Sequence, residues 1–346
     1  MLKHALIASV LLSGLAADAR AVTIDTVPVG NAGNSADPIT GKGDVAYSYR
    51  MGTTEVTIGQ YTEFLNAVAA TDTYALYNPA MATDLNSAGI ARTGVAGSYI
   101  YSAIGSPNHP VSYVGWGDAA RFSNWLFHGQ PTGAQDANST ESGSYALNGT
   151  TNGNVLNSLG REPGATWVVP TENEWYKAAF HQNNGVTGDY WKYPTSTDAP
   201  PDSAPPPGTN APVPSNTANF VRTDLLANGY NDGFAVTGST TYDSSQNYLT
   251  DAGAYASATS PYGTFDQGGN VQELISLAND LKATRGGHFA DTSLDLRSQA
   301  GVDLNLPFAE LATIGFRVAL VPEPSSFAIT ALGLIGLIAR GRRHRR

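Results

Sequence analysis

The chain has 346 residues, with 29 acidic against 19 basic side chains and no cysteine. An acidic surface argues against nucleic acid, which is bound by releasing counterions to a basic face, and the lack of thiols excludes both disulfide stapling and thiolate chemistry. Such a chain must rely on core burial, and divalent cations that bind only the folded state can add stability by mass action.

The N-terminus reads as a secretory leader over residues 1–21. Lys3 precedes the apolar stretch "ALIASVLLSGLAA", and Ala19-Arg20-Ala21 supplies the small-x-small cleavage pattern. The mature chain is expected to begin near Val22. Three short helices follow. Thr57 and Gln60 form a capping box ahead of Tyr61, Phe64, Leu65 and Val68, spaced along one helical face. A second helix is expected from Trp116 to Phe127, with Gly129 as its stop. A third starts at Pro170 and Thr171, with Glu174 completing another capping box ahead of Trp175, Ala178 and Ala179.

Elsewhere Gly, Asn, Ser and Thr dominate and regular structure should be sparse. Residues 129–163, polar and glycine-rich, and residues 198–216, proline-rich, read as surface insertions in one domain spanning 22–320. Trp116, Trp125, Trp167 and Trp175 read as core. Tyr190 and Trp191, beside the proline-rich stretch, are the aromatics best placed for a ligand surface, with loop packing as the alternative. The segment "GTFDQGGNVQEL", 263–274, gathers Asp266, Asn270 and Glu273 around two glycines. Taken alone it is either a turn, since Asp and Asn tolerate left-handed backbone, or a cage of oxygens suited to a hard cation.

The chain ends in Val321-Pro322-Glu323-Pro324-Ser325, an apolar run from Phe327 to Ala339, and "RGRRHRR". The run falls short of the roughly 20 residues of a spanning helix, and the arginines would hold its end in the cytoplasm. This three-part tail, 321–346, resembles the PEP-CTERM sorting signal of Gram-negative bacteria. The resemblance implies transient inner-membrane anchoring, cutting at the Pro-Glu-Pro motif by an exosortase-type enzyme, and delivery to the cell surface or extracellular matrix. Without leader and tail, 12 bases face 27 acids.

The ordered segments "EVTIGQYTEFLNAV", "HPVSYVGWGDAARFSNWL", "VPTENEWYKAAF", "GTFDQGGNVQEL", "RGGHF" and "GFRVA" resemble the formylglycine-generating enzyme family, or sulfatase-modifying factor domains, over about residues 45–319. The resemblance implies an α+β fold, a variant of the C-type lectin fold with short helices, small sheets and long loops. It also implies two calcium sites. One takes the side chains of Asp266 and Glu273 and the carbonyls of Gly269 and Val271. The other takes Asn219, the Phe220 carbonyl, Asp232 and the Phe234 carbonyl. Gln272 stands where the family usually has Trp.

The family's oxidases act through two cysteines soon after the Gly-Gly motif, where this chain reads "RGGHFADTSLDLRS", Arg285 to Ser298. Formylglycine generation is therefore excluded. An iron-dependent branch of the fold uses three histidines. The body here has His109, His128, His181 and His288, with no close His-x-x-x-His pair. No Gly-x-Ser-x-Gly elbow favours a serine triad. The expectation is a noncatalytic, calcium-stabilised exported domain that displays a binding surface for an extracellular polysaccharide or protein. The alternative is an oxidoreductase with a rebuilt active centre.

Overall fold

The structure, a computed structural model, describes residues 21–206, 216–222, 232–304 and 308–322. The leader up to Arg20, residues 207–215 of the proline-rich stretch and the tail beyond Pro322 lie outside the described residues.

The first half of the chain contains β1 (Thr26–Val29), β2 (Tyr49–Gly52), α1 (Ile58–Val68), α2 (Ala80–Thr83), β3 (Ile90–Thr93), β4 (Ile100–Ala103) and α3 (Trp116–Phe127). Next come α4 (Gly153–Leu156), β5 (Trp167–Val168), α5 (Glu172–Phe180), β6 (Asp202–Ser203), β7 (Thr217–Ala218), β8 (Val221–Arg222) and β9 (Gly233–Phe234). The last elements are β10 (Gln272–Ser276), β11 (Lys282–Arg285), β12 (Ile314–Gly315) and β13 (Ala319–Leu320). The fold is thus α+β, with short helices, small sheets and long loops.

The three expected helices form for the expected reasons. At α1 the Thr57 hydroxyl accepts from Gln60 N, and Gln60 Oε1 accepts from Thr57 N at 2.9 Å. The same box closes α5 between Thr171 and Glu174, each cap being worth about 1 kcal/mol. Tyr61, Phe64 and Leu65 of α1 are fully buried. The Phe64 ring meets Phe122 of α3 edge-on at 5.3 Å, and Phe122 meets Phe316 at 5.4 Å. These rings join both helices to the chain's last segment, and truncating such a side chain costs about 3–5 kcal/mol.

A four-stranded sheet runs in the order β1-β2-β13-β5, so the chain's last strand lies between strands from its first two hundred residues. A second sheet has β10 in its centre, antiparallel to β11 and parallel to β12. All five residues of β10 are buried, so no face of that strand is open to water. Burying Glu273, its second residue, demands a buried partner.

One expectation needs correcting. Residues 129–163 do not form a surface insertion, because Tyr145, Leu147 and Leu156 enter the main core. The segment is drawn in by Arg121 of α3, whose Nε lies 2.7 Å from Glu141 Oε1 with both side chains nearly inaccessible. For Tyr190, left between a ligand surface and loop packing, the contacts are those of packing. Its ring contacts Tyr176 and His181, and its hydroxyl donates to the carbonyls of Ser35 and Gly43 while accepting from Asn34 Nδ2. Trp116, Trp125 and Trp175 are buried as expected, while Trp167 is partly buried. Among the described residues no helix is long and apolar enough to cross a membrane.

Candidate functional site

The 263–274 loop is both a turn and the wall of a buried polar cluster. Asp266 and Asn270 adopt left-handed backbone, φ 57° and 62°, and Gly269 has φ 89°, conformations that Asp, Asn and Gly tolerate best. The turn directs Asn270 inward, where it is 1 % exposed. Its Oδ1 accepts from Thr250 N and from Asn219 Nδ2, each at 3.1 Å, and its Nδ2 donates to Glu55 Oε1 at 3.2 Å. Asn270 N donates to the Asn219 carbonyl at 2.8 Å. The two segments expected to hold separate cations are therefore locked together through Asn219 and Asn270.

The two acids of the loop have different fates. Both oxygens of Glu273 are engaged by Arg317, at 2.5 Å from Nε and 2.6 Å from Nη2, and Oε2 also accepts from Trp175 Nε1 at 2.8 Å. Asp266 accepts from Gly253 N at 2.6 Å. Burial pushes its carboxyl up to about 6, against the pull of that N–H and of Arg317.

Glu55, just before α1, completes the cluster. It is 1 % exposed, and its Oε2 has no hydrogen-bond partner. Burial drives its carboxyl well above the usual range, and the charge of Asp266 adds to the effect. Three carboxyl groups thus surround one guanidinium. Fully ionised they carry two uncompensated negative charges, which is very costly at low dielectric. An orphaned carboxylate oxygen and a second under-compensated carboxylate are the donors a hard divalent ion takes, with backbone carbonyls supplying the remainder. Neither Glu55 nor Arg317 was singled out in the sequence, although each stands inside a recognised segment. The signal available was a charged residue within an apolar motif, which implies a buried partner.

In the second expected group, β8 pairs with β9. The Phe220 carbonyl accepts from Ser203 Oγ at 2.6 Å and from Ala235 N at 3.2 Å, and the Phe234 carbonyl accepts from Thr237 N and Gly238 N. Asp232 is half-buried at the edge of the described residues. Among the described residues no group of three or more His, Asp or Glu side chains is arranged to hold a metal by itself. Any cation here must draw on carbonyls.

The segment after the Gly-Gly motif borders a polar basin of about 510 Å³ lined by Gly286, Gly287, Asp291, Asp295 and Asp303 among others. His288 packs against its own turn. Its Nδ1 accepts from Ala290 N at 3.1 Å, which leaves the proton on Nε2, 3.3 Å from Asp291 Oδ2. Burial holds the imidazole down at about 4, so it is neutral near pH 7. His109 faces Asp251 at 3.5 Å across a separate cleft of about 730 Å³, where Asp251 also accepts from the Ser106 hydroxyl at 2.5 Å. That hydroxyl is bonded to the acid and not to the imidazole, unlike an activated serine.

No curated protein matches the chain. Among solved structures it resembles CarF, at 20 % identity over 87 % of this chain and 99 % of that one, TM-score 0.46. It also resembles the Treponema denticola variable protein 1, at 15 % identity over 88 % and 99 %, TM-score 0.43. PvdO from Pseudomonas aeruginosa aligns at 15 % identity over 86 % and 92 %, TM-score 0.39. Residues 320–345 match the PEP-CTERM protein-sorting motif, the mark of an exported, cell-surface-directed protein processed by an exosortase. Residues 26–321 match the sulfatase-modifying factor enzyme 1-like domain, and the chain belongs to that family.

Proposed function

We propose that this protein is a noncatalytic, calcium-stabilised exported domain that displays a binding surface at the bacterial cell surface or in the extracellular matrix. The observation that carries the reading is the unpartnered, buried Oε2 of Glu55 beside Asp266. Calcium there would neutralise the two surplus charges and tie the start of α1 to the 263–274 loop, with the Gly269 and Val271 carbonyls as neutral ligands. Glu273 supports such a site through its ion pair with Arg317, which leaves Asp266 and Glu55 as the charged ligands. A second calcium at Asn219, Phe220, Asp232 and Phe234 belongs to the same proposal, supported by the β8–β9 pairing that brings those segments together. The absence of any cysteine removes the thiol chemistry of the family's oxidases and supports the noncatalytic part.

The experiment is metal analysis of the purified protein followed by thermal melting with calcium and with excess chelator. Bound calcium, and a melting temperature that falls on chelation and recovers with calcium, is the expected result. Protein shown to be metal-free that melts at the same temperature with or without calcium would overturn the calcium reading. Stoichiometric iron or copper would favour the oxidoreductase alternative.

A further inference from the structure

Asn-x-Ser/Thr, the pattern that accepts a glycan on its asparagine in exported chains, occurs at two places, Asn138-Ser139-Thr140 and Asn148-Gly149-Thr150. Both lie in the segment that Arg121 draws against α3 through Glu141. A pattern this short also arises from composition alone, so the fold has to separate the two copies.

At the first copy the chain forms a tight loop with an exposed apex. The Asp136 carbonyl accepts from the N–H groups of Ser139, Thr140 and Glu141 at 3.1, 3.0 and 2.9 Å, and Asp136 Oδ1 accepts from Asn138 N at 2.8 Å. Ser139 closes the loop from within. Its Oγ accepts from Asp136 N at 2.9 Å and donates to the Ala134 carbonyl at 2.6 Å. Asp136, Ala137 and Asn138 are exposed, whereas Ser139 and Thr140 are buried. Among the described residues Asn138 bonds only through its backbone N–H, so its carboxamide nitrogen is open to a substituent that extends into water. The second copy differs. Asn148 is exposed as well, but its backbone is left-handed, φ 49°, and its carboxamide nitrogen donates to the Ala146 carbonyl at 3.2 Å. That amide is spent on holding a turn.

We propose that Asn138 carries a glycan in the exported protein. In the transfer, the Asn138 carboxamide nitrogen forms a bond to the anomeric carbon of a sugar supplied as a glycosyl diphosphate. The bond from that carbon to the diphosphate oxygen breaks, its electron pair leaves with the diphosphate, and one proton leaves the nitrogen. Thr140 sets the order of events. It is fully buried, and its hydroxyl donates to Glu141 Oε1 at 2.9 Å. A transferring enzyme that reads this hydroxyl has no access to it in the closed fold. The sugar is therefore added before Arg121 draws Glu141 in, and the finished fold keeps the modified side chain outside. The inference draws on neither the calcium cluster nor the ligand surface of the proposed function.

The test is peptide mass spectrometry on protein purified from its native host, with fragmentation that leaves sugars on their side chains. The peptide containing Asn138 is expected to carry a glycan on that residue, with Asn148 bare. Asn138→Gln, made in the same host, should lose the sugar completely and melt at the parent's temperature when both are compared without glycan, because the carboxamide holds nothing in the fold. Thr140→Ser should keep the sugar and Thr140→Val should lose it; if Thr140→Val does not fold, Asn138→Gln and Thr140→Ser decide the matter. A bare Asn138 in the exported native protein, a sugar that persists in Asn138→Gln, or a glycan found on Asn148 or on a hydroxyl in place of Asn138 would overturn the assignment.

Discussion

Arg317, two residues before the start of β13, holds both oxygens of Glu273, the second residue of β10, and neither side chain is more than 1 % exposed. Removing one partner of such a pair strands the other charge in the interior, at a cost of about 3–5 kcal/mol. Glu273→Ala and Arg317→Ala should each destabilise the domain by that amount, with or without calcium, because the carboxylate is committed to the guanidinium. Urea denaturation in chelator checks this. A loss seen only in calcium would make Glu273 a metal ligand first.

Glu55→Gln should behave in the opposite way. The amide keeps the shape of the side chain and the acceptor for Asn270 Nδ2 while deleting a charge that burial disfavours. In chelator the variant should be at least as stable as the parent, and in calcium it should gain less. Melting curves in both conditions test the crossing. A variant as responsive to calcium as the parent would remove Glu55 from the site.

Gly269 is expected to tolerate no side chain. A Cβ there would lie 2.2 Å from the Asn219 carbonyl oxygen, and the residue has φ 89°. The carbonyl cannot retreat without losing its bond from Asn270 N. Gly269→Ala should therefore cost more than about 3 kcal/mol, beyond ordinary surface substitutions, measured by denaturant midpoint.

Stability should rise with pH on the alkaline side of neutrality. Lys177 is fully buried and its Nζ donates to the Asn31 carbonyl at 2.9 Å. Burial pulls it down to about 8, and does the same to Lys282. The unfolded chain then binds more protons than the folded one between about pH 8 and the ordinary lysine value near 10.4, so stability increases across that window. Buried tyrosines such as Tyr49 and Tyr61, pushed up by burial, oppose the trend once the unfolded phenols ionise above about pH 10. Lys177→Met should raise stability at pH 7 by about 1–3 kcal/mol and flatten its share of the rise. Identical melting temperatures at pH 7 would show that the ammonium is well solvated in the fold.

The helices were legible because their signals are local. Thr57 with Gln60 and Thr171 with Glu174 are three residues apart, and the apolar spacing after each needs no knowledge of the rest of the chain. The cluster was half legible. Asp266 and Asn270 are marked by the glycine-rich turn, whereas Glu55 is 215 residues from Asn270 and Arg317 is 44 from Glu273. Charges paired over such separations leave no spacing to read. Segment 129–163 misled for a related reason: its polar composition hides Tyr145, Leu147 and Leu156, which a single ion pair from Arg121 helps bring inside. Tyr190 looked available because its three hydroxyl partners come from residues 34–43, far back in the chain.

The position of β13 ties closure of the sheet to the strand beside the sorting motif. This strand fills the gap between β2 and β5, and Val321 N makes a further backbone bond to Thr166 O at 2.9 Å, one residue before the Pro-Glu-Pro motif begins. The sheet therefore cannot close until the residues up to Leu320 are available to pair with β2 and β5. Once closed, the strand clasps the domain within two residues of the Pro-Glu-Pro motif.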